Sequence, residues 1–399
     1  MAEIDIEIIT NRIKKFFYIE NITVGAGTDP YLVTYRGKLK NRNSVQAFDD
    51  ICVALEELNL IPKLRNENDK QALIILRANK RKGKSKPRLN VLLFILTLVS
   101  VLFTGGLYGY EKSLPDDVML AVIELTKSGW PFAISMLAIL GTHEFGHYFA
   151  GKKHGVDVSL PFFIPFPLSL FGTMGAFINM RSLPKNRRAL FDLAVTGPLA
   201  GFIVSIIALI IGLNLSSLGA LPTTPSPESA IQMEGSSLIY IFLKFITFGK
   251  IIPTPPNNLE INTFVWWIRY FFTGGPFPWG ATDVMLHPVA WAGWAGLFVT
   301  AMNLIPVGQL DGGHIFQTVF GLEKAKRIFP FIISILFILG FFWNGWWMWA
   351  ALMFFMGRRY AEPLDQITDL DPRRKMIGYI ACFVFIFSFI PVPIMIIGL

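Results

Sequence analysis

The sequence predicts an α-helical polytopic membrane protein of about six to seven transmembrane helices, with a membrane-associated β-hairpin and a small N-terminal α/β domain. Three observations predict it. The 399 residues are 53% hydrophobic and only 16% charged, whereas a soluble globular domain carries about 25% charge. Apolar runs recur from Leu89 to the C-terminus, and Lys and Arg cluster beside their ends, as topology in a bilayer requires. Between two of these runs, 160–182 carries three prolines and then an extended pattern, which excludes a helix there.

Residues 1–76 read as the α/β domain. A helical pattern over 4–17 leads to extended Ile22-Thr23-Val24 and then to Gly and Pro punctuation. Tyr31-Leu32-Val33-Thr34-Tyr35 alternates as a strand, Ser44 starts a helix reaching Leu58, and Ala72-Leu73-Ile74-Ile75-Leu76 closes the unit as a strand. Nothing in it carries chemistry. Residues 77–88 form a basic linker with Arg77, Lys80, Arg81, Lys82, Lys84, Lys86 and Arg88. Cations set against an apolar run mark the cytoplasmic side and rest on anionic headgroups, so the N-terminus is expected in the cytoplasm. Met1-Ala2-Glu3-Ile4-Asp5 lacks a leader pattern, so the first span is expected to serve as the membrane signal and to stay.

The membrane part is expected over 89–399. Spans are read at 89–110, 130–151, 190–213 and 288–305, with basic residues at Lys152-Lys153, Arg187-Arg188 and Lys324 to Arg327. The run 328–356 is too long for one span and breaks at Asn344-Gly345 into two helices; the last span is 376–397, after Arg373-Arg374-Lys375. With seven spans, every basic cluster falls on one side. An external insertion, 214–287, holds two shorter apolar pieces, 238–248 and 264–272, interrupted by Lys244 and Arg269, which suits interfacial packing.

The formal charge of +8 sits at span ends and forms no basic stripe interleaved with aromatics, so lipid and not nucleic acid is the expected partner. Cys52 and Cys382 lie on different units, which supports neither a disulfide framework nor a thiolate metal site.

His143-Glu144-Phe145-Gly146-His147 lies inside the second span. Residues four apart share a helix face, so both imidazoles can reach one metal ion, and Glu144 beside them can accept a proton from water. Three unpartnered polar groups in lipid would each cost several kcal/mol, which favours a metal over accidental packing. A catalytic zinc needs a third protein ligand. Asp311 offers one, in Asn303-Leu304-Ile305-Pro306-Val307-Gly308-Gln309-Leu310-Asp311-Gly312-Gly313-His314, with His314 as a rival. Pro306 breaks the helix there, and irregular backbone at membrane depth is tolerated where it lines protein or a watery cavity.

With both motifs in place, the chain resembles the site-2 protease family of intramembrane zinc metalloproteases. HExxH on one span and Asn-x-x-Pro-x-x-x-Leu-Asp-Gly on a later one stand in the family's order. The resemblance implies one zinc ion per chain on His143, His147 and Asp311, Glu144 as general base, and Asn303 orienting substrate or steadying the oxyanion. Thr196-Gly197-Pro198-Leu199-Ala200-Gly201 is similar to the family's Gly-Pro-x-x-Gly segment, with Thr196 where Ala is usual. The branch it is nearest is the archaeal and plastid type with an N-terminal soluble unit, and residues 89–375 carry the likeness. It implies hydrolysis of peptide bonds in or near the transmembrane segment of other membrane proteins, in a multi-pass protein of a prokaryotic cell membrane. Rival classes are a membrane zinc protease with Glu or His as third ligand, and a metal transporter. Transport needs polar groups through the whole bilayer depth, and the first, fifth and seventh spans offer almost none.

A helix must be unwound before its peptide bond is cut. Phe171-Gly172-Thr173-Met174-Gly175-Ala176-Phe177-Ile178-Asn179-Met180 reads as a strand or hairpin returning to the membrane, and its edge can hold an extended segment by strand addition. Gly172, Thr173, Met174, Gly175 and Ala176 are therefore the candidate substrate-binding residues.

Overall fold

A computed structural model describes residues 6–26, 29–67, 69–78, 87–110, 112–224, 231–256 and 261–397. Most of the basic linker, 79–86, lies outside them.

The chain starts with α1 (Ile6–Ile13), β1 (Phe17–Val24), β2 (Val33–Leu39), α2 (Ser44–Glu56), β3 (Leu60–Glu67) and β4 (Lys70–Arg77). The four strands form one antiparallel sheet in the order β1-β2-β4-β3. Ile9 and Ile13 of α1 and Phe48, Ile51 and Leu55 of α2 bury against Val33, Tyr35, Leu64, Leu73 and Ile75 of the sheet. Asn43 starts α2 by accepting from the Gln46 N–H, the usual remedy for the unpaired first-turn amides.

The remainder is mostly helical. It opens with α3 (Pro87–Gly109), α4 (Val118–Ser128) and α5 (Trp130–Lys153). The hairpin strands β5 (Phe162–Pro165) and β6 (Thr173–Phe177) precede α6 (Arg187–Asn214). Next come β7 (Ser217–Ala220), β8 (Ile231–Glu234), α7 (Leu238–Phe248), α8 (Thr263–Thr273) and β9 (Thr282–Met285). The last stretch is α9 (Pro288–Asn303), α10 (Asp311–Phe320), α11 (Leu322–Leu339), α12 (Gly345–Met356), α13 (Pro372–Ser388) and β10 (Ile394–Ile397). By length and composition α3 and α6 are apolar enough to cross a bilayer, at about 35 Å for 23 residues.

Two departures from the sequence expectation have physical causes. The last apolar run is not helical to its end: Pro391 and Pro393 follow Ser388, the helix stops there, and β10 pairs antiparallel with β8. The loop after α3 contains the additional helix α4, started by Asp117, whose carboxylate accepts from the Leu120 N–H. As the sequence predicts around Pro306, the backbone after α9 is irregular over 304–310, and helix α10 begins at Asp311. Gly308 holds φ +50° in that stretch, and a Cβ on it would meet the backbone of Gly357.

The centre of the molecule is the stack of α5, α6 and α9. Small residues let these helices approach. A Cβ on Gly146 of α5 would lie 2.8 Å from the Thr196 carbonyl oxygen of α6, and a Cβ on Gly293 of α9 would lie 2.7 Å from the Leu209 nitrogen of α6. Close approach at small-xxx-small faces is how helices gain contact where lipid is as apolar as the side chains.

Candidate active site

Helix α5 carries His143 and His147 one turn apart on its inner face, both buried, with Glu144 buried beside them. Asp311 reaches them from the first turn of α10, where unpaired helix N–H groups favour a carboxylate. Its Oδ2 lies 3.5 Å from His143 Nε2 and 3.3 Å from His147 Nε2. The three ligand atoms all fall within 4.8 Å of one another. Ligands at about 2.0–2.2 Å on a tetrahedral ion stand about 3.4 Å apart, so the donor set fits zinc both in chemistry and in spacing. His147 is fixed from behind: its Nδ1 lies 2.6 Å from the Leu193 carbonyl of α6, which leaves Nε2 free to ligate, as an outer partner does in metal sites. His314 is buried nearby and its Nδ1 lies 3.4 Å from Gln317 Nε2; it stands outside the three-atom group.

Helix α6 forms the back wall. A methyl group on Gly197 would land on the His147 ring, and one on Gly201 would lie 3.2 Å from His143 Cβ and Nδ1. Thr196 sets its hydroxyl 3.0 Å from the Gly146 carbonyl across the seam and 2.9 Å from its own turn's Asp192 carbonyl. The hydroxyl therefore bridges two helices where Ala could not.

A cavity of about 250 Å³ opens over the three ligands. Asn303, at the end of α9, points its amide into it, with Nδ2 3.3 Å from His143 Nε2. The hairpin closes the other side. Strands β5 and β6 make a two-stranded sheet, so each keeps one edge unpaired, and Ala176, Phe177, Ile178 and Met180 line the cavity.

Of the five candidate substrate residues, Ala176 is the one in the cavity wall. Gly172 is anchored on α3: its carbonyl accepts from Ser100 Oγ at 2.6 Å, and φ is +71°. Thr173 is buried, with its hydroxyl bonded to the Ile164 carbonyl inside the hairpin. Met174 is 69% exposed, and Gly175 takes φ +100°. Phe177, Ile178 and Met180 belong to the extended stretch 171–180 read from the sequence but lie beyond its five candidate substrate residues.

Residues 131–343, just over half of the chain, match peptidase family M50. The chain is 29% identical over 285 residues to the probable zinc metalloprotease EGY2 of Arabidopsis thaliana chloroplasts, covering 70% of this chain and 45% of that protein. It is 29% identical over 323 residues to the probable zinc metalloprotease EGY1 of Oryza sativa subsp. japonica chloroplasts, covering 76% and 50%. The chain thus spans about half the length of these curated relatives. No solved structure matches it. The matched stretch runs from α5 past α10 and so takes in every residue of the buried ligand group, and on this footing the chain belongs to peptidase family M50.

Proposed function

We propose that the protein is an intramembrane zinc endopeptidase that hydrolyses peptide bonds in or near the transmembrane segments of other membrane proteins. The observation that carries this reading is the ligand set His143, His147 and Asp311, assembled from two helices with Glu144 one residue from the first ligand. Bound there, zinc would supply Lewis-acid activation of water and of the scissile carbonyl. Glu144 accepts the proton of the attacking water and returns it to the leaving amine. Asn303 offers its amide N–H to the carbonyl oxygen as charge develops. The unpaired edge of β6 holds the substrate extended, and Ala176 contributes backbone to that edge.

The same reading divides the chain into a cytoplasmic α/β domain (1–76), a basic linker (77–88) and the membrane peptidase (89–399), with insertion 214–287 outside. It assigns six to seven crossings to α3, α5, α6, α9, α11, α12 and α13. Helix α12 has 12 residues, about 18 Å of rise against about 30 Å of hydrocarbon, and whether it completes a crossing decides between six and seven. The N-terminus lies in the cytoplasm, and the membrane is a prokaryotic cell membrane. Supporting this orientation, the ends of α6 and α13 meet, with Arg374 bound to Asp192 at 2.6 Å, and the segment before α6 meets the α/β domain, with Lys185 bound to Asp49 at 2.6 Å.

The test is the Glu144→Gln variant with a single-span model substrate. Cleavage should fall by about 10²–10⁴-fold or more while zinc content stays at one per chain. Near-normal turnover would remove Glu144 from the reaction, and a wild-type protein that holds no zinc and cuts nothing would overturn the reading.

A further inference from the structure

A second cavity, about 730 Å³, lies on the far side of the α5–α6 seam. Its walls are α5 and α13 and its floor is α6, on which both walls pack. The floor is largely apolar, with Val195, Leu199, Ala200 and Ile203, the Thr196 hydroxyl being bonded to backbone carbonyls, and Phe149 and Ile377 add apolar surface to the walls. The mouth is charged. Three cations, Lys153, Arg373 and Arg374, stand against two carboxylates, Asp192 and Asp371. Arg374 is already committed: its guanidinium makes a two-pronged contact with Asp192 at 2.8 and 2.6 Å and also bonds Asp371. His154 Nε2 lies 2.8 Å from the same Asp192. With both carboxylates engaged, the exposed side chains of Lys153 and Arg373 carry no hydrogen bond or ion pair among the described residues.

From Asp192 at the mouth to Ile203 at the far end, α6 rises about 16 Å. That is about half the hydrocarbon thickness of a bilayer. A spanning helix laid in the slot would leave half its length unsupported and would bring no charge to the mouth. A diacyl lipid fits both ends. We infer that the slot between α5, α6 and α13 binds one anionic phospholipid, its phosphate at Lys153 and Arg373 and an acyl chain along Val195, Leu199, Ala200 and Ile203. The site is separate from the zinc ligands and does not depend on the protein being a peptidase.

Native mass spectrometry of the full chain in detergent tests this with phosphatidylglycerol, phosphatidylcholine and inorganic phosphate as probes. One phosphatidylglycerol per chain should be retained at lower lipid concentration than phosphatidylcholine, and inorganic phosphate should not displace it. Lys153→Gln with Arg373→Gln should weaken phosphatidylglycerol binding about thirty-fold, from two cations near an anionic headgroup. Lys324→Gln with Arg327→Gln, an equal loss of charge at the start of α11, should leave it unchanged. Ala200→Leu, which fills the floor, should weaken both lipids. Equal retention of the two lipids by the wild type overturns the inference, and this readout stands even if a variant fails to fold. An equal effect of the two charge pairs reduces the binding to general membrane charge. Displacement by inorganic phosphate makes it a soluble-anion site, and displacement by a single-span peptide makes it a helix-docking groove; each of these outcomes refutes a resident lipid.

Discussion

At the scale of single residues, the ligand group is held by the absence of atoms behind it. Gly197 packs directly on the His147 ring, so Gly197→Ala must push the imidazole or part the two helices, at about 1–3 kcal/mol for overpacking. Zinc content and cleavage should both fall sharply. Gly141→Ala, on α5 with open space at its Cβ position, should leave both unchanged; equal zinc in the two variants would show that the back wall does not set the ligands. Asp311→Ala should likewise lose zinc while His314→Ala keeps it, measured by elemental analysis. Much of this neighbourhood was legible because it is local in sequence: HExxH states its own geometry through helix periodicity, and Pro306 with its glycines announces the turn before Asp311. The role of Thr196 was not legible, because its partner is the Gly146 carbonyl fifty residues away on another helix. Cys52 gives a further check. Burial raises its thiol to about 12, so at pH 8 the thiolate is scarce, and alkylation of Cys52 in the folded protein should be far slower than in the denatured chain.

At the scale of elements, the hairpin was readable from its prolines and alternation, while β3, α4 and β10 were not. Strand β3 contains Pro62, which weakens its strand pattern in sequence, and it is tolerated because β3 is an edge of its sheet, where a missing N–H is harmless. Helix α4 is short, and Val118, Met119, Leu120, Val122 and Ile123 are exposed while Leu125 is buried, so its apolar pattern marks no clear core-facing stripe. Strand β10 exists only through its pairing with β8, more than 150 residues upstream. For the hairpin, the expectation is that β6 acts through its backbone. Ala176→Pro removes an N–H and forbids ladder pairing, so cleavage of a single-span substrate should drop strongly with zinc retained. Met174→Ala should be mild, since the side chain is 69% exposed and touches nothing that holds the fold. If Ala176→Pro and Met174→Ala cleave equally well, the edge does not hold the substrate and the hairpin serves only as a cover.

At the scale of the whole molecule, the α/β unit is tied to the membrane part by the segment between α12 and α13. The Leu64 N–H of β3 donates to the Leu364 carbonyl at 2.9 Å, and the Gln366 N–H donates back to the Leu64 carbonyl at 3.1 Å. Arg65 bonds the Leu364 carbonyl at 2.8 Å, and Leu364 and Ile367 pack into the core of the unit. On its other side the segment meets the residues before α6, where the Asp365 N–H donates to the Lys185 carbonyl at 2.9 Å. No sequence pattern could show this, because the pairing joins residues about 300 positions apart and uses backbone groups that every residue carries. Asp365 organises the segment: it is fully buried, it accepts from the Ile367 N–H at 2.8 Å and the Thr368 N–H at 3.2 Å, and it bonds the Thr368 hydroxyl. Asp365→Ala would leave these donors buried without an acceptor, at about 1–3 kcal/mol for an unmet buried polar group. Because the loss falls on the joint and not on either core, the variant should keep its helices and its zinc, whereas limited proteolysis should separate the α/β unit from the rest of the chain much faster. Cleavage of a single-span substrate lacking a cytoplasmic tail should be retained. Asp365→Asn keeps an acceptor oxygen for the two N–H groups and should lie between Ala and wild type. Protease resistance of Asp365→Ala equal to that of the wild type would mean that the two parts are held by contacts other than this segment.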